Sequence, residues 1–217
     1  MTAYIFTGGQ VFADSLAELV PEIPEGSLVI AADSGYNNAK KLGAKPDMLL
    51  GDLDSLDRTG LGAHELDELE KLIVPSIKDD TDTQLAVDTA LERGAESIVL
   101  IGGLGGRLDH TLSTVFLLEY IADKGAGALV TDGRNRARLM KSTGGRQTLR
   151  VERGYKYLSL VSLTDTCEGV TVSGVFYPLW DARLVRSYSY AVSNEITADF
   201  AEISLRRGTL LVIESRD

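Results

Sequence analysis

Short, wholly apolar runs alternate with stretches of helical period through roughly the first 135 residues. Tyr4-Ile5-Phe6, Leu28–Ala32, Met48-Leu49-Leu50, Leu72-Ile73-Val74, Ile98–Ile101 and Ala128-Leu129-Val130 carry apolar side chains at consecutive positions. A strand built this way is apolar on both faces, so both must be covered, which is the situation of parallel strands flanked by helices. The pattern therefore predicts an open, mostly parallel α/β sheet. Two of its helices are marked in detail. One runs from about Asp82 to Arg93 and stops at Gly94, a residue suited to the left-handed position after a helix end. The other follows Gly105-Gly106, with Leu108, Leu112, Val115 and Phe116 spaced as one apolar face.

Beyond Lys141 the period falls to two. Tyr157–Leu163, Val170–Val175, Ala198–Ile203 and Thr209–Ile213 are short β candidates, punctuated by Gly169, Gly174, Asn194 and Gly208. Several short strands at close spacing predict a small antiparallel sandwich or barrel. The polar stretch Ser142–Gln147, with two glycines, is the expected linker. A length of 217 residues suits one large domain or two small ones, and the change of period divides it into residues 1–140 as an α/β domain and 148–217 as an all-β domain.

The acids and glycines of the first part gather where its strands end. The first strand leads to Gly8-Gly9, the second to Asp33, the third to Gly51-Asp52-Leu53-Asp54-Ser55. The strand near Val74 leads to Lys78-Asp79-Asp80-Thr81-Asp82, and the fifth to Gly102-Gly103-Leu104-Gly105-Gly106-Arg107. Ligands of open α/β sheets bind beyond the carboxyl ends of the strands, near the point where strand order reverses. Crowded carboxylates repel one another unless a cation sits between them, and Mg²⁺ suits oxygen donors shared with substrate phosphates. The glycine-rich turn before Leu108 lets phosphate oxygens approach backbone N–H groups at a helix start, and Arg107 adds bidentate donors. Thr81-Asp82-Thr83-Gln84 also fits a capping box, and Asp33-Ser34-Gly35 also fits a plain strand-to-helix turn.

A net charge of −10 argues against a general nucleic-acid or anionic-membrane binder. The single Cys167 excludes an internal disulfide or multi-cysteine zinc site, and His64 and His110 are too few for a histidine-rich metal centre. No run approaches the roughly 18–20 apolar residues of a membrane span and no signal peptide is evident, so a cytoplasmic location is expected. Neither a P-loop, a complete dinucleotide fingerprint nor a G-x-S-x-G elbow occurs. Asp52-Leu53-Asp54-Ser55-Leu56 is similar to the D-x-D-x-[TV] turn of haloacid-dehalogenase-type phosphatases, although Leu56 departs from it. A phosphatase with Asp52 as nucleophile is therefore one alternative, and a non-catalytic dimer that binds nucleotide or another small ligand is a second.

Taken in order, Asp33–Asn38, Lys45-Pro46-Asp47, Gly51–Ser55, Lys78–Asp82 and Gly102–Thr111 resemble the thiamin pyrophosphokinase family, especially its bacterial branch, and the resemblance continues at Gly174–Leu179 and Ser193-Asn194-Glu195. It implies ATP-dependent pyrophosphoryl transfer to the thiamin hydroxyl, an α/β domain followed by a β-sandwich, and a homodimer holding thiamin between the first domain of one subunit and the second of its partner. Position by position, Asp52, Asp54 and Asp82 match the acids that hold Mg²⁺ and orient the reacting groups, with Asp33 facing the same cleft. Gly103, Gly105, Gly106, Arg107, Asp109 and His110 fall in the motif that meets ATP. Tyr177 matches the aromatic set against thiamin, and Ser193 and Asn194 the polar partners of its pyrimidine.

Overall fold

The computed structural model describes residues 1–19, 23–51, 69–73 and 80–217. The chain divides into two compact units, Met1–Gly133 and Arg134–Asp217.

In unit 1 the described elements are β1 (Thr2–Phe6), α1 (Ala13–Leu19), β2 (Leu28–Ala32), α2 (Gly35–Lys41), β3 (Met48–Gly51), β4 (Glu70–Ile73), α3 (Asp82–Glu92), β5 (Ser97–Ile101), α4 (Leu108–Asp123) and β6 (Gly127–Thr131). The strands lie in the order β4-β3-β2-β1-β5-β6, and each neighbouring pair is parallel. The apolar runs behave as their composition demands: every residue of β2 is buried, and Phe6, Ile30, Leu49, Leu50, Leu100 and Ile101 are among the largest fully buried side chains. β1 pairs with β2 on one side and β5 on the other, so the order reverses between β1 and β5. That places the crevice of an open sheet at the carboxyl ends of these three strands. Asp47 ties the opposite end, its Oδ2 accepting the Val29 N–H at 2.8 Å.

The helix boundaries follow from local chemistry. Thr81 caps α3 by accepting the Gln84 N–H at 3.2 Å, while the Gln84 amide turns forward to Asp88 Oδ2 at 3.0 Å. One half of the capping box is thus formed and the Gln84 side chain serves the helix face instead. Arg93 is the C-cap and Gly94 follows at φ +83°, as the glycine stop predicts. In α4 the face read from the spacing is the solvent-facing one. Leu108, Leu112 and Phe116 are exposed, and the core takes Thr114, Leu117, Leu118 and Ile121. The helix carries two apolar stripes, and periodicity alone does not say which one the sheet buries.

Unit 2 comprises β7 (Asn135–Ser142), β8 (Gln147–Glu152), β9 (Tyr157–Ser162), β10 (Thr166–Ser173), β11 (Leu179–Val185), β12 (Phe200–Leu205) and β13 (Gly208–Ser215). β7-β13-β9 and β11-β10-β12-β8 are antiparallel. Residues from both groups share one core, including Val151, Leu158, Leu160, Val172, Ile203, Leu210 and Val212, which makes the unit a sandwich. In β9 alternate residues Leu158, Leu160 and Ser162 point inward. In β10 the alternation slips between buried Cys167 and Val170, where Gly169 sits at φ +66° and the register with β11 shifts. Glu214, almost fully buried, is shared by Arg136, whose Nε lies 2.9 Å from its Oε2, and Arg138, whose Nη2 lies 2.6 Å away.

The stretch expected to link the domains does something else. Residues 142–147 join β7 to β8 inside unit 2, with Ser142 Oγ donating to Gly145 O. Polar glycine-bearing chain marks a hairpin turn as readily as a linker.

Candidate active site

Three strand ends in unit 1 come together through glycines that admit no side chain. A Cβ on Gly9 would stand 1.9 Å from Gly102 O, and one on Gly35 would stand 2.0 Å from Phe6 O. A Cβ on Gly8 would meet Ser34 Oγ at 2.0 Å, and one on Gly103 would meet Thr114 Cγ2 at 2.5 Å. Backbone thus packs on backbone where β1, β2 and β5 finish. Above this floor opens a cleft of about 510 Å³, lined by residues 7–10, 32–34 and 81–83 together with Gly102, Gly103, Gly105, Gly106, Arg107, His110 and Thr114. The volume lies in the range of small-molecule sites.

Most of the predicted first-domain residues described here meet in this cleft. Asp33 follows β2 at φ +50°, its N–H donating to Leu50 O at 2.7 Å. A non-glycine residue in that region costs energy, and such residues concentrate at functional sites. Asp82 opens α3 on the same cleft, and Gly103, Gly105, Gly106, Arg107 and His110 line the other side. Asp52 and Asp54 lie outside the described residues. Among the described residues, no three His, Cys, Asp or Glu side chains are grouped as a metal site. Asp33 and Asp82 nevertheless supply the hard oxygen donors that Mg²⁺ prefers, in a cleft otherwise lined by glycines and by hydroxyl, amide and basic side chains, so the residues present fit that ion.

Arg107 and Asp109 are engaged with each other. Arg107 Nη2 and Nε lie 2.6 and 3.2 Å from the Asp109 carboxylate, at the protein surface. The Arg107 guanidinium hydrogen bond, aided by the His110 N–H at 3.0 Å, holds the Asp109 carboxyl at about 2. Asp109 therefore shapes the arginine, and the guanidinium retains donors for a phosphate because it carries five. Thr111 Oγ1 donates to this loop at Gly105 O, 3.1 Å away.

In unit 2, Tyr177, Ser193 and Asn194 are also brought together. The Asn194 carboxamide accepts the Tyr177 N–H at 3.0 Å and donates to Tyr177 O at 2.8 Å, clamping the two segments. Ser193 sits at φ +57°, its N–H donating to Ser159 Oγ at 2.9 Å. The Tyr177 ring is exposed and stands edge-on to Phe176 at 4.8 Å. Trp180, Tyr188 and Tyr190 are exposed as well.

Sequence reasoning passed over Thr7, Gln10, Ser34, Thr83 and Thr114, which also line the cleft. Thr7 and Ser34 directly adjoin the glycines and aspartate that end their strands, a signal available in the sequence; Thr114 lies inside a helix and carried none.

Two family descriptions match the chain: "Thiamin pyrophosphokinase, catalytic domain" over residues 22–130 and "Thiamin pyrophosphokinase, vitamin B1 binding domain" over residues 146–210. The chain belongs to the thiamin pyrophosphokinase family. The thiamine pyrophosphokinase of Bacillus subtilis is 26% identical over 216 residues, covering 95% of this chain and 98% of the relative. Thiamin pyrophosphokinase 1 of Caenorhabditis elegans is 25% identical, covering 84% and 76%. Among solved structures, the Bacillus subtilis thiamine pyrophosphokinase superposes with a TM-score of 0.83 at 25% identity over 100% of both chains. That of Geobacillus thermodenitrificans gives 0.81 at 27% identity over 100% of this chain and 98% of the other. The family's members are enzymes, and its two-domain order is the order of the two units here.

Proposed function

We propose that this family member transfers the pyrophosphoryl group of ATP to the hydroxyl of thiamin, with Mg²⁺, giving thiamin diphosphate and AMP. The observation that carries this is the cleft at the sheet's switch point, where Asp33 and Asp82 face glycine-lined backbone and Arg107. Unit 1 supplies the ATP and catalytic site and unit 2 the thiamin site, in a protein that works in the cytoplasm.

Attack of an alcohol at phosphorus asks little covalent help of a protein, and positioning with charge neutralisation supplies most of the acceleration. Asp52, Asp54 and Asp82 are the proposed holders of Mg²⁺, which when bound neutralises charge on the phosphate oxygens. The glycine turn 102–106 admits the polyphosphate to backbone N–H groups, and Arg107 offers guanidinium donors at its edge. Asp33 or Asp52 aligns the thiamin hydroxyl and takes its proton. Exposed Tyr177 offers a ring face to the cationic thiazolium, and the Asn194 clamp fixes where that ring stands.

A homodimer completes the site in this reading, thiamin lying between unit 1 of one subunit and unit 2 of its partner. Supporting it are the exposed stripe Leu108, Leu112 and Phe116 on unit 1 and the exposed aromatics of unit 2. Charge supports it too. Unit 1 has 23 acidic against 9 basic residues, and unit 2 has 9 against 13, so unlike units attract.

Product identification by mass tests the reading: full-length protein with ATP, thiamin and Mg²⁺ yields AMP and thiamin diphosphate. ADP with thiamin monophosphate, or phosphate release without an acceptor alcohol, overturns it.

A further inference from the structure

Asn38 does not line the cleft, yet its side chain reaches the loop that does. Its single carboxamide nitrogen donates to Thr7 O at 2.6 Å and to Gly9 O at 2.8 Å. An asparagine amide has two N–H donors, and both are spent on carbonyls that flank Gly8. The same nitrogen lies 3.1 Å from where a Cβ on Gly102 would stand, so Asn38 is also seated against the turn that ends β5. Gly35 makes this reach possible. It brings the start of α2 within touching distance of Phe6 O, and Asn38 follows three residues later on the same helix face.

We propose that Asn38 is a positioning residue for polyphosphate, acting through the Thr7–Gln10 loop; the proposal rests on the reading of the cleft as an ATP site. Peptide groups are planar and trans, with the C=O of one residue opposed to the N–H of the next. Holding the carbonyls of Thr7 and Gly9 toward Asn38 therefore turns the N–H groups of Gly8 and Gln10 the other way. Gly8, Gly9 and Gln10 line the cleft, so those N–H groups form a small concave donor pair for phosphate oxygens. With Asn38 removed, the loop keeps its glycines but loses the clamp that sets the orientation of its peptides.

The test uses full-length protein, with Mg²⁺ and α,β-methylene-ATP as the binding probe and steady-state kinetics alongside. In Asn38→Ala and the isosteric Asn38→Asp, the dissociation constant of the analogue and KM for ATP rise about tenfold, as expected for carbonyls left without donors. KM for thiamin changes less than about twofold, a split that general loosening of the fold does not produce. Should neither variant fold, the wild type still decides: its Asn38 carboxamide protons exchange slowly and their resonances shift when the analogue is added. Nucleotide affinity unchanged in a folded variant, loss of both substrates equally, or fast-exchanging amide protons indifferent to nucleotide each overturn the proposal. Failure of the wild type to bind the analogue removes the ATP reading itself; wild-type binding with unaltered variants removes only the role of Asn38.

Discussion

Unit 1 exposes its backbone to the candidate ligand, whereas unit 2 exposes side chains. The parallel strands of unit 1 spend their apolar residues on two covered faces, and what remains at their ends is glycine, aspartate and threonine. Such a rim offers N–H groups and carboxylates held by rigid strands, a geometry suited to phosphate and a hard cation. The sandwich of unit 2 has no comparable rim. Its aromatics stand outward, with Tyr177 held through its backbone by Asn194 and Tyr188 stacked near Tyr190 at 6.3 Å. The rim shows the contrast at particular glycines: a Cβ on Gly9, where strand ends meet, strikes backbone, while one on Gly145 in the β7–β8 turn meets nothing within 4 Å.

Five substitutions, and one titration checked by a sixth, put this contrast at risk. The largest effect is expected at Asp82: Asp82→Asn lowers turnover by at least about 10²-fold, the scale of a lost electrostatic contact to the transition state, with the melting temperature unchanged. A loss of stability in place of turnover makes Asp82 a helix-start residue only. Gly9→Ala forces overpacking against Gly102 O and costs about 3 kcal/mol in denaturant unfolding, whereas Gly145→Ala stays within about 0.5 kcal/mol. Equal costs at the two glycines abolish the distinction. In unit 2, Glu214→Ala leaves Arg136 and Arg138 facing each other and costs about 3 kcal/mol, seen as a lower denaturation midpoint. Tyr177→Ala is smaller and of another kind: KM for thiamin rises about tenfold, from loss of a ring face worth about 1 kcal/mol or more, with KM for ATP and stability unchanged. The smallest effect is at Asp109. Its folded pKa lies below the ordinary 3.8, so the Arg107 pair is intact above that value and is lost only as pH falls through about 2. Carboxyl ¹³C titration shows that midpoint, and Arg107→Gln moves it upward.

The same contrast governs how much was legible in the sequence. The strands of unit 1 announced themselves because burial on both faces leaves unbroken apolar runs, and α3 because Thr81 and Gly94 bracket it. β7, β8 and β11 were not anticipated: β7 buries only Ala137, Met140 and Ser142, with Arg136, Arg138 and Lys141 between them, and β8 and β11 lie at sheet edges with one buried residue each, Val151 and Leu184. In the cleft, Asp33, Asp82 and the 102–107 turn were readable because each terminates an apolar strand or opens a helix. Asn38 was not, because an asparagine inside a helix looks like any polar surface residue until the Thr7 and Gly9 carbonyls are seen beside it. The buried face of α4 was not readable, because a helix with two apolar stripes satisfies the same period twice.

The most direct test is a crystal structure of the protein with Mg²⁺, α,β-methylene-ATP and thiamin. The account predicts one cation within about 2.1 Å of carboxylate oxygens from both Asp54 and Asp82, beyond the ends of β1 and β5, with the polyphosphate against the glycine floor. A cation bound elsewhere, or those two carboxylates too far apart to share one, contradicts it.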